Sequence, residues 1–259
     1  MIIAVSDVHL GYEKSNREDF IRFLDTCNSA DIHDLVLLGD ILDFWRRNNA
    51  KVVTDEIHAE IVDKLGNLDV KHIHYVVGNH DYYLLRLSDR YEGNYPFTVS
   101  KFLRLEDRGS KFYFIHGYEL EVLANLEPLS IETYEHFSEK MCFTKDVLGW
   151  FLSHLWELLE RRGGIWRQTS MMKKPPHERT DIDKIYNLAI SKGRYLLLGM
   201  KPNEKLVYGH THRPFINKER TVANTGSWVA ELSKKSQNWY LMIADGQMEL
   251  KAFDEKAFP

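Results

Sequence analysis

The chain has 259 residues, 44% hydrophobic, 12% aromatic and 28% charged, a globular composition that excludes disordered and collagen-like chains. Lys and Arg number 34 against 38 Asp and Glu, a formal net charge of -4, so no global basic field exists to hold nucleic acid non-specifically. Only two cysteines occur, Cys27 and Cys142, far apart; this argues against a disulfide framework and a thiolate zinc site, and makes a reducing cytoplasm the expected setting. The N-terminal MIIAVSDVHL lacks a basic n-region, and no stretch reaches the ~18 apolar residues of a membrane span. A cytoplasmic protein is expected, at most peripheral on a membrane.

In chain order, Ile2 to Val5, Leu35 to Leu38 and Ile73 to Val77 are short apolar runs that read as buried strands. Each ends in a polar cluster. Between them Glu18 to Cys27 and Val52 to Leu65 carry apolar residues at helical spacing, so the first part of the chain predicts a mostly parallel sheet with right-handed crossovers. Ligands bind beyond the carboxyl ends of such strands, where the polar clusters sit. Further on, Phe97 to Leu105, Lys111 to Ile115, Leu206 to Tyr208, Thr221 to Ala223, Asn238 to Ala244 and Met248 to Phe253 predict a second, mixed or antiparallel sheet. Between the fourth and fifth polar clusters the pattern is helical, clearest over Glu119 to His136, Val147 to Glu160 and Asp181 to Ser191. We expect one domain over residues 1–259 with a helical insertion at about 118–200.

The clusters are Asp7-Val8-His9, Gly39-Asp40-Ile41-Leu42-Asp43, Gly78-Asn79-His80-Asp81, His116-Gly117 and Gly209-His210-Thr211-His212. Five strand ends thus deliver carboxylates, imidazoles and one amide, with no sulfur, a donor set that suits Mn, Fe, Zn, Co or Ni. On an extended backbone Asp7 and His9 would point to one face, as would His210 and His212. Singly, each piece has a bland reading: Gly-Asp after a strand is usually a turn, and a lone buried His a hydrogen-bonded core residue. Five pieces in one order, each at a strand end, point instead to a site.

D-x-H, G-D-x-x-D, G-N-H-D, H-G and G-H-T-H in this order resemble the calcineurin-like metallophosphoesterase superfamily over nearly the whole chain. The resemblance implies an α/β/β/α sandwich around a centre of two divalent transition-metal ions, Mn foremost and Fe, Zn, Co or Ni as alternatives. It implies Asp7, His9 and His212 on the first ion, Asn79, His116 and His210 on the second, and Asp40 bridging both. His80 would be the general acid and Asp43 its partner, although Asp43 also reads as a helix N-cap. Asp81 is expected to brace its loop. Gly39 to Trp45, the placement of the insertion and Gly209 to Pro214 resemble the branch of UDP-2,3-diacylglucosamine hydrolase, a pyrophosphatase of lipid A synthesis. The chain departs from that branch at His80, where Arg is characteristic, and at Asp43, where Glu is common. A phosphodiester, pyrophosphate or phosphomonoester is therefore the expected substrate, as a phosphorylated small molecule or a lipid-linked one.

Phe44, Trp45, Arg46 and Arg47 could form a substrate wall, with Arg a natural phosphate binder; ordinary packing beside a solvated basic corner is the alternative. In the insertion, Val147, Leu148, Trp150, Phe151, Leu152, Leu155, Trp156, Leu158 and Leu159 cover most faces of a helix, and the basic stretch Arg161 to Lys174 follows. This pattern fits a lid or a peripheral membrane contact, or a helix buried in the insertion's own core. Ser6 to Tyr12 also resembles double-strand-break repair nucleases, a second function class that the net charge and the short stretch after the last strands disfavour. A non-catalytic scaffold on the same fold is a third, disfavoured because no ligand or acid position is lost.

Overall fold

The computed structural model describes residues 1–46, 56–90, 97–126, 129–142, 180–230 and 238–253. The three apolar runs form β1 (Ile2–Val5), β2 (Asp34–Leu38) and β3 (His72–Val76). Every residue of β1 and β2 is buried, as near-continuous apolar strands covered on both faces must be. β1 pairs parallel to β2, β2 to β3, and β3 to β4 (Thr98–Ser100). The helices α1 (Arg17–Asn28), α2 (Glu56–Gly66) and α3 (Leu84–Arg90) fall between these strands. Phe20, Phe23, Leu24 and Cys27 are the buried stripe of α1, and both Phe rings pack on Trp228.

The second sheet runs β5-β6-β7-β9-β8, built from β5 (Phe102–Asp107), β6 (Ser110–Ile115), β7 (Glu204–Tyr208), β8 (Phe215–Ile216) and β9 (Val222–Asn224). It is mixed, as expected: β6, β7 and β9 are parallel, with an antiparallel strand at each edge. The two sheets face each other through a core in which Ala4, Val36, Leu38 and Ile243 meet Phe112, Phe114, Val207 and Ala223. Helices α4 (Tyr118–Asn125), α6 (Thr180–Ile190) and α7 (Gly193–Leu197) accompany the second sheet, whose outer face holds Tyr113, Leu206 and Tyr208 against Leu120, Ile185 and Ala189. The architecture is the expected α/β/β/α sandwich.

Three local expectations differ from the structure. The run Phe97 to Leu105 is two strands in two sheets, because the chain crosses between layers at Lys101, where the apolar alternation of the run is interrupted. The last two strands, β10 (Trp239–Ala244) and β11 (Gln247–Ala252), do not extend the second sheet; β10 pairs antiparallel with β1, setting Ile243 opposite Ile2. The segment Glu119 to His136 is two helices, α4 and α5 (Ile131–Met141). Pro128 lacks the N–H a continuous helix requires, and Ser130 caps α5 by accepting the Thr133 N–H at 3.2 Å. The helix expected over Val147 to Glu160 and the basic stretch Arg161 to Lys174 lie outside the described residues. Cys27 and Cys142 are both buried and free. Among the described residues no helix is long and apolar enough to cross a membrane.

Candidate metal centre

The loops after β1, β2, β3, β6 and β7 are laced together by main-chain hydrogen bonds. Asp7 N–H donates to Gly39 O at 3.1 Å, His9 N–H to Asp40 O at 2.8 Å, and Gly209 N–H to His116 O at 2.7 Å. Two carboxylates extend the lacing: Asp40 Oδ1 accepts the His80 N–H and Asp7 Oδ2 the His210 N–H, each at 2.9 Å. Asp7, His9, Asp40, His210 and His212 all have φ between 53° and 66°, a left-handed conformation that costs a non-glycine residue about 1–3 kcal/mol and persists only where surroundings impose it. The extended geometry expected for Asp7-x-His9 and His210-x-His212 is therefore replaced by left-handed turns. The strands have ended, and each turn aims its side chain back into the cluster.

Asp7, His9 and His212 bring one ligand atom each to within 4.8 Å of one another, and so do Asp40, His116 and His210. Asp40 Oδ2 links the two groups, 3.2 Å from His116 Nε2 and 3.7 Å from His9 Nε2. Asp7 Oδ1 lies 3.3 Å from His212 Nε2. Buried Asp7 Oδ1, Asn79 Oδ1 and His116 Nε2 have no hydrogen-bond partner; the approach of His116 Nε2 to Asp40 is close but misaligned for one. Leaving such atoms unsatisfied costs roughly 1–3 kcal/mol each. A cation is the partner that acceptor-only oxygens and an imidazole lone pair can share, so these residues fit a metal centre.

The electrostatics point the same way. Burial opposes ionisation of Asp40, but the surrounding His116, His80 and His9 outweigh it and hold the carboxyl well below its ordinary value. At His116 burial disfavours the imidazolium, yet Asp40 and Asp7 outweigh it and raise the pKa to about 10. Carboxylates that hold a proton so firmly favour any cation of the right size in its place.

Beside the cluster, Asp43 is fully buried and joins several partners. Its Oδ1 lies 2.9 Å from His80 Nδ1 and its Oδ2 3.1 Å from His9 Nδ1. Arg46 donates its guanidinium to Oδ2 at 2.5 Å and its N–H to Oδ1 at 3.0 Å. Burial opposes the Asp43 charge, but His80 and Arg46 keep its pKa well below the usual range. The structure places Trp45 inside, 4% exposed, stacked on the His80 ring with centroids 4.4 Å apart. The Arg46 guanidinium also lies over the Tyr12 ring at 4.4 Å, and Arg47 lies outside the described residues. Asp81 braces both loops, accepting the Gly78 N–H at 2.6 Å, the Ile41 N–H at 2.9 Å and the Tyr75 hydroxyl at 2.6 Å.

Close packing explains two motif glycines. A Cβ at Gly209 would stand 2.6 Å from Asp7 Oδ2, and one at Gly78 2.6 Å from the Asp40 nitrogen while colliding with Asp40 Oδ1. Gly78→Ala is therefore expected to push Asp40 out of position and to destabilise the fold by about 1–3 kcal/mol. Urea unfolding and metal content would check it; wild-type values for both would show that the loop yields freely. Glu121 on α4 went unnoticed in the sequence, because an acid in a first helical turn is ordinary. It lies 2.6 Å from His210 Nε2 through Oε2. Burial opposes its charge, but His210 outweighs this and keeps its pKa below the ordinary value.

No curated protein matches the chain. A dimetal phosphatase from Danio rerio is similar at 14% identity and a TM-score of 0.49, over 96% of this chain and 94% of that one. An archaeal phosphodiesterase shows 13% identity and a TM-score of 0.44, over 97% and 99%. A single mutant of Vps29 from Entamoeba histolytica shows 14% identity and a TM-score of 0.42, over 96% of each chain. The model of the calcineurin-like phosphoesterases matches residues 1–214, a span that takes in all five polar clusters. With the sandwich, the clustered carboxylates and imidazoles and that match together, the chain belongs to the calcineurin-like phosphoesterase family.

Proposed function

We propose that the protein is a phosphoester hydrolase with two divalent transition ions. Asp7, His9 and His212 hold the first, Asn79, His116 and His210 the second, and Asp40 both. The carrying observation is that two groups of ligand atoms meet at Asp40 Oδ2 while Asp7 Oδ1, Asn79 Oδ1 and His116 Nε2 lie buried and unpartnered. The donor set accepts Mn, Fe, Zn, Co or Ni. When bound, such ions supply Lewis acidity towards phosphoryl oxygens and bring the pKa of water near neutrality.

The chain's own residues do the rest. Asp43 accepts the His80 Nδ1–H, which leaves Nε2 on the side of Asp40, 4.0 Å from its Oδ2. The Asp43 carboxylate at Nδ1 and the stacked Trp45 ring together fix the orientation of the imidazole. His80 Nε2 thereby delivers a proton to the departing oxygen, a step typically worth ~100-fold to 10,000-fold. His9 donates its Nδ1–H to the same Asp43, so one buried carboxylate sets both a ligand and the acid.

The substrate in this reading is a phosphodiester, a pyrophosphate or a phosphomonoester, among them lipid-linked nucleotides, since the motifs at Gly39 to Trp45 and Gly209 to Pro214 resemble the branch of UDP-2,3-diacylglucosamine hydrolase. His80 and Asp43 together favour esters whose leaving group needs a proton. The protein would act in the cytoplasm, and contact with a membrane surface would come from the insertion. The test is hydrolysis by Mn-loaded protein of phosphomonoesters, phosphodiesters, nucleoside diphosphate lipids and single-stranded DNA. Metal-dependent turnover of one of the first three classes is expected. Turnover of DNA alone would replace the reading with a nuclease, and no turnover with Mn, Fe or Zn would remove it.

A further inference from the structure

Three candidate ligand imidazoles in this site each have one nitrogen taken by a fixed oxygen. His116 Nδ1 lies 2.9 Å from Leu38 O, a carbonyl that can only accept. His9 Nδ1 lies 3.1 Å from the ionised Asp43. His210 Nε2 lies 2.6 Å from Glu121 Oε2. In a neutral imidazole the nitrogen that donates leaves a lone pair on the other. His116 and His9 are thereby set to offer Nε2, and His210 is set in the opposite sense, to offer Nδ1. The ring of His210 meets that of His116 edge to face, with centroids 5.1 Å apart, so the two rings are held at a fixed angle.

We propose that Glu121 is the positioning residue of the second metal position: it accepts the His210 Nε2–H, fixes that tautomer, and turns the Nδ1 lone pair towards Asp40 and His116. This rests on the two-metal reading above. Outer carboxylates of this kind raise the basicity of the imidazole and cost ~10-fold to 100-fold in metal affinity when removed. Glu121 is suited to the task because α4 starts directly after His116-Gly117. Its first turn delivers the carboxylate to the loop after β7, the strand paired directly with its own β6. Leu120 of the same turn is fully buried in the core beneath, which anchors the turn.

Two measurements separate this role from simple packing. Titration of metal-free protein with Mn or Co should show two ions in wild type. In Glu121→Ala one should bind ~10-fold to 100-fold more weakly while the other is unchanged. Glu121→Gln, whose amide oxygen still accepts the Nε2–H, should recover most of that loss, and the Co absorption bands of the second position should shift in the Ala variant alone. Unchanged affinity for both ions in Glu121→Ala would overturn the proposal. So would a Gln variant as weak as Ala, which would make Glu121 a direct ligand. The second measurement needs no metal: imidazole nitrogen shifts in the metal-free protein at alkaline pH should report the Nε2–H form of His210, changing to a mixture in Glu121→Ala. An Nδ1–H form in wild type would refute the role of Glu121 whatever the metals do. Absence of any bound ion in wild type would instead refute the two-metal reading, leaving the tautomer assignment standing.

Discussion

Replacing Asp40 by Asn is expected to empty both metal positions and to lower hydrolysis by roughly a thousand-fold or more, the equivalent of several kcal/mol of transition-state stabilisation. The reason lies in the two oxygens of Asp40. Oδ1 is committed to the His80 N–H at 2.9 Å, so Oδ2 is the atom left facing His116 and His9. Asn preserves the shape and one acceptor, but it removes the charge that both cations would share and puts an amide donor where an acceptor must stand. Metal content after dialysis, turnover and a thermal melt together decide the matter. Loss of metal with an intact melt is the expected result. Two retained ions with unchanged turnover would remove the claim that Asp40 bridges.

Replacing His80 by Ala is expected to leave both ions bound while turnover of esters with poor leaving groups falls ~100-fold to 10,000-fold. His80 sits at the edge of the cluster, its Nδ1 on Asp43 and its Nε2 4.0 Å from Asp40 Oδ2. In the proposed reading its removal would cost a proton donor rather than a ligand. Activated esters such as p-nitrophenyl phosphates should lose much less, because their leaving oxygen departs without a proton. Asp43→Asn should behave differently from His80→Ala, since Asp43 also holds His9 Nδ1 at 3.1 Å: it should weaken metal binding as well as proton transfer. Equal losses on both kinds of ester in His80→Ala, or loss of an ion, would count against the acid role.

The amino-acid sequence by itself determined the three parallel strands β1, β2 and β3 of the first sheet and the order of the five polar clusters. Those features are local: an apolar run of four or five residues followed by Ser-Asp, Gly-Asp or Gly-Asn needs no distant information to be recognised. It also located residues that the fold gathers, since Asp7, His9, Asp40, His116, His210 and His212 all lie in the two groups that meet; Asn79, next to His80 in the chain, is buried. Tertiary structure alone decided the sheet to which β4, β5, β10 and β11 belong, because strand pairing is a contact between distant residues and apolar alternation looks the same on either sheet. It alone decided the left-handed turns at Asp7, His9, Asp40, His210 and His212, which the lacing of loops imposes on residue types that tolerate that conformation better than most but do not dictate it. The same holds for the placing of Trp45 on His80, of Arg46 on Asp43, and of Glu121 on His210. Each joins side chains through packing or one hydrogen bond whose strength depends on burial, and burial is a property of the folded chain.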